Sequence, residues 1–133
     1  MSECKCSCSN DCASNEAESI VYACAGASNV GKISLDLAIA LHKRNSYSMG
    51  CASGVGADIC GFKEAAAGSG TEHLLIDGCP VSCLKKMFED KGIANFRHII
   101  VTGMGVVKEP IFDYDPKIIE NLLDQIESGE GVE

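Results

Sequence analysis

An α/β fold is predicted, as a single three-layer domain built on a mainly parallel four-stranded sheet, and three observations predict it. Short apolar runs alternate four times with stretches of helical periodicity, and Gly or Pro marks nearly every junction. The third is bulk composition: 133 residues, 46% hydrophobic and 23% charged, is the balance of one domain with a real core. Strand and helix in strict alternation call for right-handed crossovers and helices on the sheet faces, a Rossmann-like or flavodoxin-like arrangement.

Each element has its own local cause. Residues 1–18 are Ser, Asn, Cys and acid with little apolar content, which predicts a flexible leader. The folded domain is expected over 19–127. Ser19 to Ala25 reads as a buried strand ended by Gly26, and Ser28 or Asn29 caps a helix to about Arg44 with Val30, Ile33, Leu37 and Leu41 on one face. A second strand near Tyr47 to Cys51 meets the Gly-rich turn Ser53 to Gly56. A shorter helix follows over Asp58 to Ala67, with Ile59, Phe62 and Ala66 on one side. The third strand, Leu74 to Asp77, is followed by Gly78, Cys79 and Pro80. Pro suits a first helical position, so a helix is expected from Pro80 to about Lys91. His98 to Thr102 forms the fourth strand. Asp115 caps a last helix carrying Ile119, Leu122, Leu123 and Ile126 inward, and residues 128–133 fray.

Charge narrows the function classes. Nineteen acids against eleven Lys and Arg give −8, which opposes binding to a nucleic-acid phosphate backbone. The acid gathers at the ends, with eight Asp and Glu against Lys117 from residue 109 onward. No apolar run approaches the roughly 20 residues of a membrane span, and the polar start is not that of a signal peptide, so a cytoplasmic protein is expected.

Nine cysteines are the informative number. A chain able to build a core, without an export signal and with an odd count, is poorly described by a disulfide framework; reduced cysteines are expected. In a parallel sheet the loops after the strands open on one edge, where ligands bind. Cys24 ends strand one, Cys51 ends strand two, Cys79 follows strand three, and Cys83 lies one helical turn further. Four convergent thiolates match a tetrahedral zinc site, with sulfur about 2.3 Å from the metal. An iron–sulfur cluster takes the same ligands. A helix starting at Pro80 would also favour thiolate at Cys79. Cys60 is read as packing.

Three segments carry a family resemblance: Cys24-Ala-Gly-Ala-Ser-Asn-Val-Gly31, Cys51-Ala-Ser-Gly-Val-Gly56, and Asp77-Gly-Cys-Pro-Val-Ser-Cys83-Leu-Lys-Lys86. Over about residues 20 to 105 the chain resembles the DGC-domain proteins, named after the central triplet. The resemblance implies zinc binding through four chelating cysteines, here Cys24, Cys51, Cys79 and Cys83, and implies no particular reaction. It says nothing of Cys60 or of the leader.

Two other patterns bear on ligands. Gly26 to Lys32 matches the first seven positions of a phosphate-binding loop, but Ile33 stands where a magnesium-binding Ser or Thr belongs. A capped strand-to-helix turn is the simpler account, with anion binding by Ser28, Asn29, Gly31 and Lys32 as the alternative. In the leader, Cys4, Cys6, Cys8 and Cys12 have the spacing of a local chelator of soft metals or of an idle tail. No His shows a carboxylate or metal partner by spacing, Lys85 and Lys86 read as solvated, and Asp77 is expected to orient the Cys79 loop.

Four functions compete. The leading one is a zinc-binding domain, and a Cys51 standing apart from the other three would open a coordination position and favour catalysis. Thiol redox or sulfur transfer through Cys79 and Cys83 is the second, an iron–sulfur protein the third, and nucleotide binding the fourth. A metal ion is the one partner expected; substrate and protein partners are not specified.

Overall fold

The computed structural model describes residues 19–68 and 70–129. Four strands form one all-parallel sheet in the order β2-β1-β3-β4: β1 Ser19–Ala23, β2 Ser48–Met49, β3 Glu72–Asp77 and β4 Arg97–Ile100. Five helices join them: α1 Asn29–Lys43, α2 Ala52–Gly56, α3 Cys60–Ala67, α4 Cys83–Asp90 and α5 Lys117–Glu127. The α/β prediction therefore holds.

Alternation along the strands divides the core between two faces. Val21, Ala23, Leu74, Ile76 and Ile99 meet Val30, Ile33, Leu37 and Leu41 of α1 and Leu122, Leu123 and Ile126 of α5. On the other face Ile20, Tyr22 and Leu75 meet Val55, Ala66, Leu84 and Phe88. Phe88 stands edge-on to Tyr22, with ring centroids 5.0 Å apart, and packs against Phe96 in the same manner. Every inward position expected of α1 and α5 is buried or packed against the core.

Several boundaries differ from expectation, each for a local reason. The second strand keeps only two ladder residues, because the chain turns at Gly50 into a short helix where a loop was expected. Cys51 caps that helix, its sulfur accepting the Gly54 N–H at 3.3 Å. Asp58 adopts a left-handed φ of 62°, so α3 starts two residues late and Ile59 is left exposed rather than inward. The fourth strand ends at Ile100 and tightens into a 3₁₀ turn, Val101–Met104. The largest change is at Pro80. Residues 80–82 form a turn closed by Ser82 N–H donating to the Cys79 carbonyl at 3.0 Å, and α4 begins only at Cys83. Ser82 is left-handed, with φ 55°, a conformation that cannot propagate a right-handed helix.

Among the described residues no helix is long and apolar enough to cross a membrane. The expected leader with Cys4, Cys6, Cys8 and Cys12, and residues 130–133, lie outside the described residues.

Candidate functional site

The strand order reverses between β1 and β3. Helix α1 leaves β1 toward one face and the segment leading to α4 leaves β3 toward the other, so a crevice opens at the carboxyl ends of these two strands. A cleft of about 320 Å³ occupies that position. Cys24, Cys79 and Cys83 all line it, together with Asp77, Gly78 and Lys108.

Close approach of backbone builds the cleft floor. A Cβ on Gly78 would stand 2.8 Å from the Val30 carbonyl carbon and 2.9 Å from the Gly31 nitrogen, and one on Gly31 would stand 2.1 Å from the Gly26 oxygen. Only glycine lets the loop after β3 rest on the first turn of α1. That contact carries the Gly78 N–H to the Cys24 sulfur, where it donates at 3.3 Å. Ser34, fully buried, donates to the Gly31 carbonyl at 2.6 Å and accepts the Ala25 N–H at 3.2 Å; its hydroxyl also lies 3.3 Å from the Cys24 sulfur. With the hydroxyl proton committed to Gly31, the Cys24 thiol is the donor in that last contact.

Cys79 and Cys83 sit at the two ends of one short loop. Asp77, the last residue of β3 and 1% exposed, receives the Leu84 N–H at 2.9 Å and the Lys85 N–H at 3.1 Å, one on each carboxylate oxygen. It thus caps α4 from outside the helix, since Ser82 at the N-cap position makes no capping bond. His98 of β4, also buried, donates from Nε2 to the Asp77 carboxylate at 2.8 Å. The late start of α4 removes the predicted dipole argument for Cys79: Cys83, not Cys79, is the first helical residue.

A cation reaches the cleft from an extended strap, residues 105–116, which runs over α1. Lys108 Nζ donates to the Cys79 sulfur at 3.5 Å. Asn29 fixes the strap on either side of this lysine. Its Nδ2 donates to the Val107 carbonyl at 2.9 Å, its Oδ1 accepts the Glu109 N–H at 2.7 Å, and its own N–H donates to the Glu109 carbonyl at 3.2 Å. Further along, the Tyr114 hydroxyl donates to Asp36, which also receives Lys32 at 2.8 Å, and Lys32 lies over the Tyr114 ring. Burial works to raise the Asp36 carboxyl, but the hydrogen bonds from Lys32 and Tyr114 and the lysine charge outweigh it and hold the group below its ordinary range.

The four predicted ligands are therefore not equivalent. Cys24 and Cys79 are half-buried and Cys83 exposed within the cleft; Cys51 is exposed at the start of α2 and is not among the cleft residues. As the side chains stand, no three His, Cys, Asp or Glu among the described residues form a group able to hold a metal ion. In kind, the donors do suit a soft divalent ion: three thiols share the cleft, and the Asp77 carboxylate that also lines it is taken up by three hydrogen bonds. Cys60, expected to be a reduced packing residue, instead is half-buried and disulfide-bonded at the first position of α3.

The family model of the DGC domain matches residues 20–126. The chain belongs to the DGC-domain family. It is also 32% identical to the anaerobic and virulence modulator AnvM of Pseudomonas aeruginosa over 108 residues, 81% of this chain and 82% of that protein. No solved structure gives a significant match.

This DGC domain uses its Asp-Gly-Cys triplet as one mechanical unit: Asp77 caps α4, Gly78 lies on α1, and Cys79 faces the cleft. The loop resembling a phosphate site is spent on the fold. Ser28 accepts the Gly31 N–H, Asn29 clamps the strap, and Lys32 pairs with Asp36. Three site residues escaped the sequence. Ser34, one position past the Ser or Thr of a phosphate-binding loop, turns inward and reaches Cys24. His98 lies 21 positions from Asp77 and meets it only through β3–β4 pairing, and Lys108 reaches Cys79 only through the strap. Spacing carries no signal for either.

Proposed function

We propose that this protein is a metal-binding domain, with zinc as the ion, and that Cys24, Cys79 and Cys83 are the ligands that hold it. The observation that carries this reading is their common lining of one cleft at the strand-order reversal, although the three arise from two loops separated by more than fifty positions. Family membership supports it, because the same cysteines stand in the segments that resemble the DGC domain. Thiolate sulfur is a preferred donor for zinc, and binding requires these thiols to release a proton and turn from their present partners toward the cleft. Cys51, outside the cleft, is the separable ligand: it lies at the same sheet edge but is used locally as the cap of α2. Bound zinc would supply either a closed structural cross-link or, with a position left open, a Lewis acid.

Elemental analysis of the intact protein, purified reduced and without added metal, tests this directly. One zinc per chain is expected. Substoichiometric zinc that excess zinc fails to restore would overturn the reading.

A further inference from the structure

We infer that Asp77 and His98 are positioning residues for the two-cysteine loop, acting as a clamp that sets the separation of Cys79 from Cys83. The loop leaves the sheet at Asp77, carries Cys79, turns through Ser82 and enters α4 at Cys83. Asp77 then takes the amides of the next two residues, Leu84 and Lys85, one on each oxygen. The same carboxylate therefore stands at the loop's exit from β3 and holds its return, enclosing both cysteines within a short, closed path.

Within the loop, the Ser82 N–H bond to the Cys79 carbonyl at 3.0 Å closes the turn but does not tie it to the sheet. Ser82 has a left-handed φ of 55° without a glycine's freedom, and its side chain makes no capping bond. Relaxing Ser82 would rotate the start of α4 and carry Cys83 with it; the two amide bonds to Asp77 oppose that rotation. His98 in turn aims Asp77. Its Nε2 takes one carboxylate oxygen at 2.8 Å, while its Nδ1 is buried with no partner among the described residues. All of the hydrogen bonding of this buried ring is thus spent on Asp77, at the cost of an unsatisfied nitrogen. An apolar side chain would fill the place without that cost but could not orient the carboxylate.

A second buried histidine provides an internal control. His73 of β3 is equally enclosed, also has an Nδ1 without a partner among the described residues, and donates from Nε2 to the Gly68 carbonyl at 3.1 Å, away from the cleft. Replacing His73 removes a buried imidazole without touching the clamp.

The test uses two readouts on the full chain. One is zinc affinity by competition with a chelator, which rests on the metal reading; the other is the ratio of Cys79 to Cys83 alkylation rates in reduced, metal-free protein, which does not. His98→Ala should weaken zinc about 10- to 100-fold, as loss of outer-shell support does elsewhere, and should shift the alkylation ratio about tenfold. His98→Gln, which restores a donor near the Nε2 position, should bring both back to within about threefold of wild type, and His73→Ala should leave both unmoved. Should His98→Ala not fold, Asp77→Asn, which keeps the shape but removes one acceptor, is expected to shift both readouts in the same direction. If the wild type binds no zinc the metal reading fails, and the alkylation ratio alone decides. Unchanged ratios in a folded His98→Ala or Asp77→Asn, or an equal shift in His73→Ala, would overturn the positioning role.

Discussion

Replacing Gly78 with alanine tests how the cleft is assembled. Gly78 has no left-handed φ, so its backbone is open to any residue. On chain entropy alone, Gly78→Ala would stabilise the fold by about 0.4–1 kcal/mol. The structure predicts the opposite sign. The new methyl carbon would stand 2.8 Å from the Val30 carbonyl carbon and 2.9 Å from both the Gly31 nitrogen and the Val30 oxygen, all backbone atoms of the first turn of α1. None can swing aside as a flexible side chain would. Relief requires the loop and the helix to part by roughly half an ångström or more, at an overpacking cost of about 1–3 kcal/mol. For a domain of this size that is a fall in Tm of about 4–12 °C. Gly68→Ala is the matched control, since its Cβ would meet nothing closer than 3.4 Å and its φ is −61°. It should be neutral or slightly stabilising. Calorimetry on the two variants reads the difference; a Gly78→Ala protein melting at or above wild type would refute the close approach on which the cleft rests.

Asn29→Ala removes both side-chain bonds that hold the strap around Lys108 and leaves the Glu109 N–H without that partner, so a loss of about 1–3 kcal/mol is expected. Limited proteolysis should then cut first within residues 105–116; an unchanged cleavage map would count against the clamp. Alkaline stability should depend on Tyr22, whose hydroxyl is pushed up to about 12, first by burial and then by the nearby Cys51. A raised folded pKa gives stability that is present below the unfolded value near 10 and lost as pH rises through about 12, here about 3 kcal/mol. Tyr22→Phe should therefore flatten denaturant midpoints between about pH 10 and 12 relative to wild type; identical slopes would contradict this. At the acid end, Asp36 is held below its ordinary range, so its contribution is present above the unfolded carboxylate value and fades as pH falls through the lower folded one. Tyr114→Phe, which removes one of its hydrogen bonds, should lessen that acid-side loss, as read from denaturant midpoints below about pH 5.

The fold was legible because its elements obey local rules. Apolar runs and helical periodicity place β1, β3, α1 and α5 within a few residues, and alternation of strand with helix leads to the parallel sheet. Where local signals mislead, a conformation invisible to periodicity decides. Pro80 reads as a helix start, yet Ser82 turns left-handed and Asp77 supplies the cap, so α4 opens at Cys83. The Gly-rich stretch after Cys51 reads as a loop, yet a thiol cap makes it one helical turn. The site divides in the same way. Strand ends could be read, and with them the placing of Cys24, Cys79 and Cys83 along one cleft, though not the separation of Cys51, which was expected with them. The supporting groups could not: His98, Ser34 and Lys108 reach the cleft through strand register, helix rotation and a long strap, which leave no mark in spacing.

In the proposed site the cleft cysteines hold the metal and Cys51 is separable from them. Zinc content measured in four single variants, Cys24→Ser, Cys51→Ser, Cys79→Ser and Cys83→Ser, each shown to be folded, tests it most directly. Cys51→Ser should retain zinc after dialysis against a mild chelator while the other three lose it. Equal loss in all four would show Cys51 to be a full member of the site, and equal retention in all four would place the metal outside the cleft.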